Sequence, residues 1–100
     1  MDALTFRRMV ARMRAVLPVP RRRVSVDRQE LPCLGTDVVY GFTVARKRSY
    51  HITIRRSLSR AETTDTLLHE WAHAYSGDFT HGAKWGIAYA RAYRAYHGVA

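Results

Sequence analysis

Two histidines flank a glutamate in the stretch HEWAH, which runs from His69 to His73. Histidines four residues apart project from the same face of an α-helix, about one turn apart. Both imidazoles can then bind one metal ion at roughly 2.0–2.1 Å, the usual Zn–N distance. Glu70 would lie beside the ion without ligating it, where a carboxylate takes a proton from metal-bound water. The pattern predicts a catalytic zinc site, and an ordinary helix face with two histidines is the less favoured alternative.

Catalytic zinc usually takes three protein ligands and leaves the fourth position to water. His81 follows His73 by eight residues, and a turn within SGDFT would bring it back toward the pair. Three other residues are weaker candidates. His51 lies on the polar face of a predicted strand, and His97 lies near the C-terminus, where a surface histidine is expected. Asp78 leaves only four residues after the second histidine for the chain to reverse. We therefore predict that His81 completes the coordination of a Zn²⁺ ion.

The elements that position these residues follow from periodicity and from the turn-forming residues. Apolar residues at helical spacing, Leu4 among them, predict an N-terminal helix over residues 2–17, ended by Pro18 and Pro20. RRRVSVD predicts a short extended segment. RQELPCLGTD, with its proline and glycine, predicts a turn-like connection. VVYGFTVAR and SYHITIRRS, rich in β-branched and aromatic residues, predict a hairpin.

The alternation along SYHITIRRS predicts a sheet with one face exposed to water. Tyr50, Ile52 and Ile54 would face the core, and the polar side chains between them would face solvent. The predicted tip of the hairpin carries three basic residues: Arg46, Lys47 and Arg48.

Two helices are predicted in the second half of the chain. Ser59 and Glu62 form the capping-box pattern Ser-x-x-Glu, which predicts a helix from Arg60 to Tyr75. Gly77 supplies its C-terminal stop. The segment GAKWGIAYARAYRAYHG predicts the last helix, and we interpret the aromatic stripe along it as core packing.

These elements predict an α+β fold in a single domain over residues 1–100. It would be a minimal zincin-like domain with an N-terminal helix, a small three-stranded sheet, an active-site helix and a C-terminal helix.

The stretch TLLHEWAHAY, followed by HGAKWG, resembles the SprT-like (Spartan-type) zinc metallopeptidase domain. The order of the predicted elements is similar too, and the specific motifs lie between Leu67 and Trp85. The resemblance implies proteolysis of a protein or peptide substrate, and in the eukaryotic branch of the family nucleic acid activates cleavage of DNA–protein crosslinks. It implies these roles: zinc ligands His69, His73 and His81, with Glu70 as general base.

The chain departs from the larger members of that family. It has no Cys-rich zinc ribbon and no room for a separate DNA-binding domain, so it resembles minimal versions from bacteria and phages. It is not a metzincin, because Gly77 and His81 follow His73 by four and eight residues instead of three and six.

The net charge of +9 comes from 15 arginines and two lysines against eight acidic residues. Seven arginines lie within the first 23 residues, opposed there only by Asp2. Either a surface for phosphate or another polyanion, or a set of solvated faces, accounts for this charge. If nucleic acid binds, we expect it to contact two basic stretches: Arg21, Arg22 and Arg23, and Arg46, Lys47 and Arg48.

Cys33 is the only cysteine, so neither an internal disulfide nor a cysteine-based zinc site is possible. We interpret it as a small, buried or half-buried apolar residue and not as an inhibitory thiolate ligand. No apolar run approaches the roughly 20 residues of a membrane span, and the arginine-rich N-terminus lacks the apolar core of a secretory signal. The sequence therefore predicts a cytoplasmic protein with no membrane partner, and it leaves the oligomeric state open.

The predicted mechanism makes Glu70 the base that activates zinc-bound water and then the acid that protonates the leaving amine. Tyr75, Tyr89, Tyr93 and His51 are equal candidates for the donor that stabilises the oxyanion. The substrate would lie extended along an edge strand of the sheet.

Other hypotheses remain open. Asp65 lies one turn before His69 and would either orient that imidazole or, the favoured alternative, be a solvated carboxylate. A rival function is a zinc-stabilised basic binding module, for nucleic acid or a host protein, without turnover. A third is hydrolysis of a bond other than a peptide bond.

Overall fold

The computed structural model describes residues 1–99, apart from the side chain of Leu34. In this range two helices cover one face of a small sheet, and the last helix packs on those two helices. The elements are α1 (Ala3–Val16), β1 (Arg23–Gln29), β2 (Cys33–Leu34), β3 (Asp37–Val38), β4 (Gly41–Ala45), β5 (Ser49–Arg55), α2 (Arg60–Ser76) and α3 (Ala83–His97). The predicted α+β layout, with an N-terminal helix, a three-stranded sheet and two C-terminal helices, is confirmed.

The main sheet has the strand order β1-β5-β4, so β5 is its central strand. β4 and β5 form the predicted antiparallel hairpin, which is closed by a hydrogen bond of 2.8 Å from the Arg46 amide to the Ser49 carbonyl. β1 runs parallel to β5, a pairing that strand patterns alone do not predict. Both β1 and β4 are therefore edge strands. A second, two-stranded sheet, β2-β3, occupies the end of the segment predicted to be turn-like and extends to Val38, the first residue of the predicted strand VVYGFTVAR.

The core lies between β5 and the three helices. Tyr50, Ile52 and Ile54 are buried, as predicted, against apolar side chains of α1 and α2. Trp71 in α2 is completely buried, and its indole N–H donates to the Leu17 carbonyl at 2.8 Å, which ties α2 to the end of α1. The core residues of α1 are Phe6, Met9, Val10 and Met13. Leu4, which belongs to the apolar periodicity that predicts this helix, is exposed and lies outside the core.

The prediction of one fully wet sheet face is wrong at one end. Thr53 and Arg55 point away from the helices, yet both are buried. The Arg55 guanidinium donates to the Val39 carbonyl at 2.8 Å and to the Pro32 carbonyl at 3.3 Å. These bonds hold the segment with β2 and β3 near the outer face, and they satisfy the buried charge with backbone oxygens. Cys33 in this segment is exposed, so its interpretation as a buried residue is also wrong.

The boundaries of α2 follow from its caps. The Glu62 amide donates to the Ser59 hydroxyl at 3.1 Å, and the Ser59 amide donates to the Glu62 carboxylate at 3.0 Å, which confirms the capping box. Gly77 ends the helix in the left-handed conformation at φ 69°. The last helical residue is Ser76, one beyond the predicted end. None of the helices in residues 1–99 is long and apolar enough to cross a bilayer.

Gly41 allows β4 to approach α2 closely. A Cβ atom at this position would lie 2.8 Å from Thr66 Cγ2 and 2.9 Å from the Thr53 carbonyl oxygen.

We expect Gly41→Ala to lower the free energy of unfolding by about 1–3 kcal/mol, because the backbone oxygen is not free to move away. Gly86→Ala is the matched control, because Gly86 lies in α3 with nothing within 4 Å of its added Cβ. That change should raise the free energy by up to about 1 kcal/mol through helix propensity. Urea denaturation measures both, and equal stability of the two variants would contradict the close approach.

Candidate metal centre

α2 places His69, Glu70 and His73 at the end of the core. His73 and Glu70 are each only 6% exposed, whereas His69 is partly exposed. The two imidazoles lie on neighbouring turns with ring centroids 5.0 Å apart. The predicted helical positioning of the two histidines is therefore observed.

The chain reverses between α2 and α3 through a loop organised by Asp78. One carboxylate oxygen of Asp78 accepts hydrogen bonds from the Thr80 amide at 2.8 Å and the Thr80 hydroxyl at 2.6 Å. The other accepts a longer bond, 3.4 Å, from the Trp85 amide in the first turn of α3. The bonds from Thr80 lower the pKa of Asp78 and keep it charged. This loop brings His81 back to α2, as the sequence predicts.

The three histidine rings converge through their Nε2 atoms. His81 Nε2 lies 3.0 Å from His69 Nε2 and 3.2 Å from His73 Nε2. Nitrogens bound at 2.0–2.1 Å to a tetrahedral ion are about 3.3 Å apart. The observed spacing is therefore close to that of a tetrahedral site. His81 also has a positive φ of 59°, a conformation uncommon outside glycine.

The hydrogen bonding and burial of the ligands suit a metal. His73 Nδ1 lies 2.7 Å from the Asp78 carbonyl oxygen, which can only accept, so Nδ1 carries the proton and Nε2 keeps a free lone pair. Burial lowers the pKa of His69, which favours the neutral form that ligates metals. Three neutral imidazoles without a thiolate suit Zn²⁺. The residues therefore fit the predicted ion.

Two aromatic rings enclose the histidine cluster. The Trp85 ring centroid lies 4.7–5.5 Å from those of the three histidines, and its indole N–H donates to the His69 carbonyl at 3.2 Å. Phe79 stacks on His73 with an interplanar angle of 6°. The interpretation of the α3 aromatic stripe as core packing therefore holds for Tyr89 and Tyr96 but not for Trp85, which packs on the three histidine rings.

Glu70 faces a cleft between α2 and the start of β4. The Thr43 hydroxyl donates to Glu70 Oε1 at 2.8 Å, and Glu70 Oε2 lies 3.8 Å from His69 Nε2. The cleft has a volume of about 370 Å³ and is lined by residues 38–41 and by Asp65, Thr66, His69 and Glu70. Thr43 thus fixes one oxygen of the Glu70 carboxylate, and the other oxygen lies beside His69.

The other candidate ligands have different partners. His51 lies on the outer sheet face, with Nδ1 2.6 Å from Ser25 Oγ and Nε2 3.0 Å from Asp27 Oδ1. His97 packs on the Tyr93 ring at 4.5 Å. The structure brings neither residue into the histidine cluster.

Of the four candidate oxyanion donors, Tyr89 is the one that lies against the cluster. Its ring centroid is 6.5 Å from that of His69. Its hydroxyl donates to Asp65, and burial together with that carboxylate raises the pKa of Tyr89 to about 12. Asp65 therefore accepts from a tyrosine and not from His69, and its side chain is exposed, which agrees with the favoured alternative of a solvated carboxylate. The Tyr75 hydroxyl instead accepts from Arg91 at 3.0 Å.

The two predicted basic stretches meet at one end of the sheet. The Arg23 amide donates to the Arg48 carbonyl at 3.3 Å, which places residues 21–23 beside the hairpin tip at residues 46–48. All six side chains are exposed. The Arg22 guanidinium lies 4.7 Å from the Tyr50 ring centroid, and Tyr50 in turn contacts Phe79 at 5.9 Å. We call these six residues the sheet-end basic cluster.

Sequence reasoning considered Asp78 only as a ligand, and it missed Thr43 and Phe79. The pattern Asp-x-Thr after a helix-ending glycine is typical of a side-chain-capped turn and would have indicated the role of Asp78. Thr43 gave no local signal, because its contact with Glu70 depends on how β4 packs on α2.

No family model, curated protein or solved structure matches this chain significantly. The similarity to the SprT-like domain therefore depends on the motif residues and on the order of the elements.

His81→Ala should weaken zinc binding at least about 100-fold, because a ligand contributes more than the 10–100-fold of an outer hydrogen bond. His97→Ala, a histidine outside the cluster, is the control and should bind like the wild type. Elemental analysis of purified, untagged protein and competition with a chromogenic chelator measure the effect. Full zinc occupancy in His81→Ala at equal free zinc would contradict the three-histidine site.

Proposed function

We propose that the chain is a zinc-dependent metalloendopeptidase of the zincin type. The observation that carries the proposal is the convergence of three histidine Nε2 atoms beside the carboxylate of Glu70, which faces a cleft. The Nε2 atom of His81 lies 3.0 Å from that of His69 and 3.2 Å from that of His73. A structural zinc site closes with four protein ligands, whereas a catalytic site keeps one position open. Among residues 1–99 the cluster of potential ligands has three members, His69, His73 and His81.

The roles of the side chains follow from their contacts. A bound zinc ion supplies Lewis acidity and lowers the pKa of water in its open position. Glu70 Oε1 is fixed by Thr43, and Oε2, on the side of His69, is the atom that accepts the proton and returns it to the leaving amine. The Asp78 carbonyl keeps His73 in the ligating tautomer. Tyr89 would donate to the oxyanion only after its hydroxyl gives up the hydrogen bond to Asp65.

The substrate would be an extended segment of a protein. β4 is an edge strand, and the cleft beside Glu70 begins where β4 begins. A peptide that pairs with this edge presents its carbonyl groups along the strand, and backbone pairing places few demands on its side chains. This supports cleavage of peptide bonds over hydrolysis of a small non-peptide substrate.

A second candidate function, binding of nucleic acid, is supported by the sheet-end basic cluster. Six exposed basic side chains on two adjacent loops concentrate positive charge on one surface, and such a surface attracts a phosphate backbone. Combined with the motif similarity, this favours a cytoplasmic enzyme of a bacterium or phage that acts on DNA-associated proteins. In the rival function the same surface binds without turnover.

Glu70→Gln should retain zinc and the fold but lose at least about 100-fold in the rate of casein or peptide cleavage, because an amide accepts no proton. Thr43→Val should lose less, since the base remains and only its orientation is relaxed. Chelator-treated wild type and His69→Ala exclude a contaminating protease. If Glu70→Gln cleaves as fast as the wild type, or if zinc-loaded wild type cleaves no unfolded protein with or without DNA, the binding module becomes the better proposal.

Replacing Arg46, Lys47 and Arg48 by serine should weaken DNA binding and reduce the slope of log K against log salt by about 2–3. The slope falls because each phosphate contact that is lost leaves about one more counterion on the DNA when the protein binds. Arg60→Ser combined with Arg94→Ser and Lys84→Ser is the control, with the same change in charge away from the cluster. Titrations of a fluorescent oligonucleotide at several salt concentrations measure the slope, and equal slopes in both triple variants would assign binding to net charge.

A further inference from the structure

β1 presents an open edge on the side of the sheet opposite to β4. Residues at odd positions pair with β5, as shown by the bonds from the Arg23 amide to the Arg48 carbonyl and from the Arg56 amide to the Gln29 carbonyl. Because the backbone groups alternate along a strand, Val24, Val26 and Arg28 direct theirs away from β5. An open edge of this kind pairs readily with another strand.

A groove of about 520 Å³ lies between this edge and α1. Its apolar lining includes Phe6, Val10 and Val26. Four arginines surround it: Arg7, Arg14, Arg28 and Arg56. The one carboxylate in the lining, Asp27, is already bonded to Gln29 and His51. The groove therefore combines a few apolar side chains, of which Phe6 and Val10 are nearly buried, with a large excess of positive charge.

Arginine side chains cover both ends of the open edge. Arg14 donates to the Val24 carbonyl at 2.8 Å, and Arg56 donates to the Arg28 carbonyl at 3.0 Å. Between them, Val26 directs its amide and carbonyl into the groove. Each arginine can exchange a neutral carbonyl for a carboxylate, which forms a stronger, charge-assisted hydrogen bond. An acidic partner would therefore free the edge carbonyls at the same time as it binds the arginines.

We propose that the β1–α1 groove binds an extended acidic segment of a partner protein, which adds to β1 as a fourth strand. Val24, Val26 and Arg28 supply backbone groups at the two-residue repeat of a strand. Side chains on one face of the added strand would meet Arg7 and Arg14, whereas those on the other face would approach Asp27. The preferred segment therefore carries acidic residues at alternate positions.

The backbone donors and the apolar lining favour a peptide over nucleic acid in this groove. A phosphate backbone has no amide groups to pair with the carbonyls of Val24, Val26 and Arg28. The groove also lies at the opposite sheet edge from the cleft beside Glu70. A bound partner would therefore leave the cleft open, so this surface recruits a partner and does not block the candidate metal centre.

The test uses a fluorescein-labelled peptide of alternating glutamate and threonine, with fluorescence anisotropy as the measurement. Arg7→Glu should weaken binding about fivefold or more, because it places a negative charge in the groove. Arg8→Glu is the matched control, one residue further along α1 and outside the groove lining, and should change binding less than about twofold. Both arginines are exposed, so neither change should unfold the chain.

A second variant tests the strand pairing. Val26→Pro removes an amide that points out of the sheet and leaves the β1–β5 hydrogen bonds in place. We expect this variant to bind the peptide about fivefold to tenfold more weakly, since one carbonyl of the peptide loses its hydrogen-bond donor. Thermal unfolding checks that the variant is folded, and a peptide N-methylated on alternate amides repeats the test without changing the protein.

Four outcomes would overturn the proposal. The first is that the peptide does not bind the wild type at low salt, and the second is that Arg7→Glu and Arg8→Glu lose the same affinity for it. The third is that a peptide with the same glutamates grouped at one end binds the wild type as tightly as the alternating peptide. The fourth is a single-stranded oligonucleotide that displaces the peptide and discriminates between the two arginine variants in the same way, which would assign the groove to nucleic acid.

Discussion

The chain reversal between α2 and α3 is the constraint on which the candidate metal centre depends. Helical geometry alone brings His69 and His73 together, but the chain must bring the third histidine back to α2 within eight residues of His73. The reversal requires Gly77 in the left-handed region and His81 at φ 59°. Such a conformation costs about 1–3 kcal/mol in a residue other than glycine. The bonds of Asp78 to Thr80 and Trp85 offset this cost. The side chain of Asp78 therefore holds the loop, while its backbone carbonyl orients the His73 ring.

The rest of the fold keeps this loop in place and gives the two sheet edges different environments. β5 is buried at the centre, and Trp71 ties α2 to the end of α1 through the Leu17 carbonyl. At one edge, Gly41 lets β4 approach α2 so closely that Thr43 reaches Glu70. At the other edge, α1 stands off from β1 and leaves a groove lined by arginines. The three-stranded sheet therefore has one edge, β4, beside the Glu70 carboxylate and the other edge, β1, beside a group of arginines.

Local patterns predicted the layout of the elements and the histidine cluster, whereas the remaining features depend on tertiary packing. The capping box at Ser59, the stop at Gly77 and the spacing of His69, Glu70 and His73 are local signals, and the structure follows them. The buried outer-face residues Thr53 and Arg55 were missed because a polar pattern does not reveal a covering segment. The parallel β1–β5 pairing likewise depends on contacts far apart in sequence. Trp85 was misassigned because periodicity places a side chain on a helix face without naming its neighbour.

The histidine cluster also links metal binding to the stability of the chain. Its Nε2 atoms lie 3.0 and 3.2 Å apart, so protonating more than one ring places like charges in contact. Burial already lowers the pKa of His69, and a group whose pKa is lower in the folded state weakens the fold as the pH falls through its unfolded value. A cation that binds the neutral rings removes this penalty and adds its binding free energy to folding. In a domain of 100 residues, whose core is small, an ion bound by these three histidines would therefore also stabilise the fold.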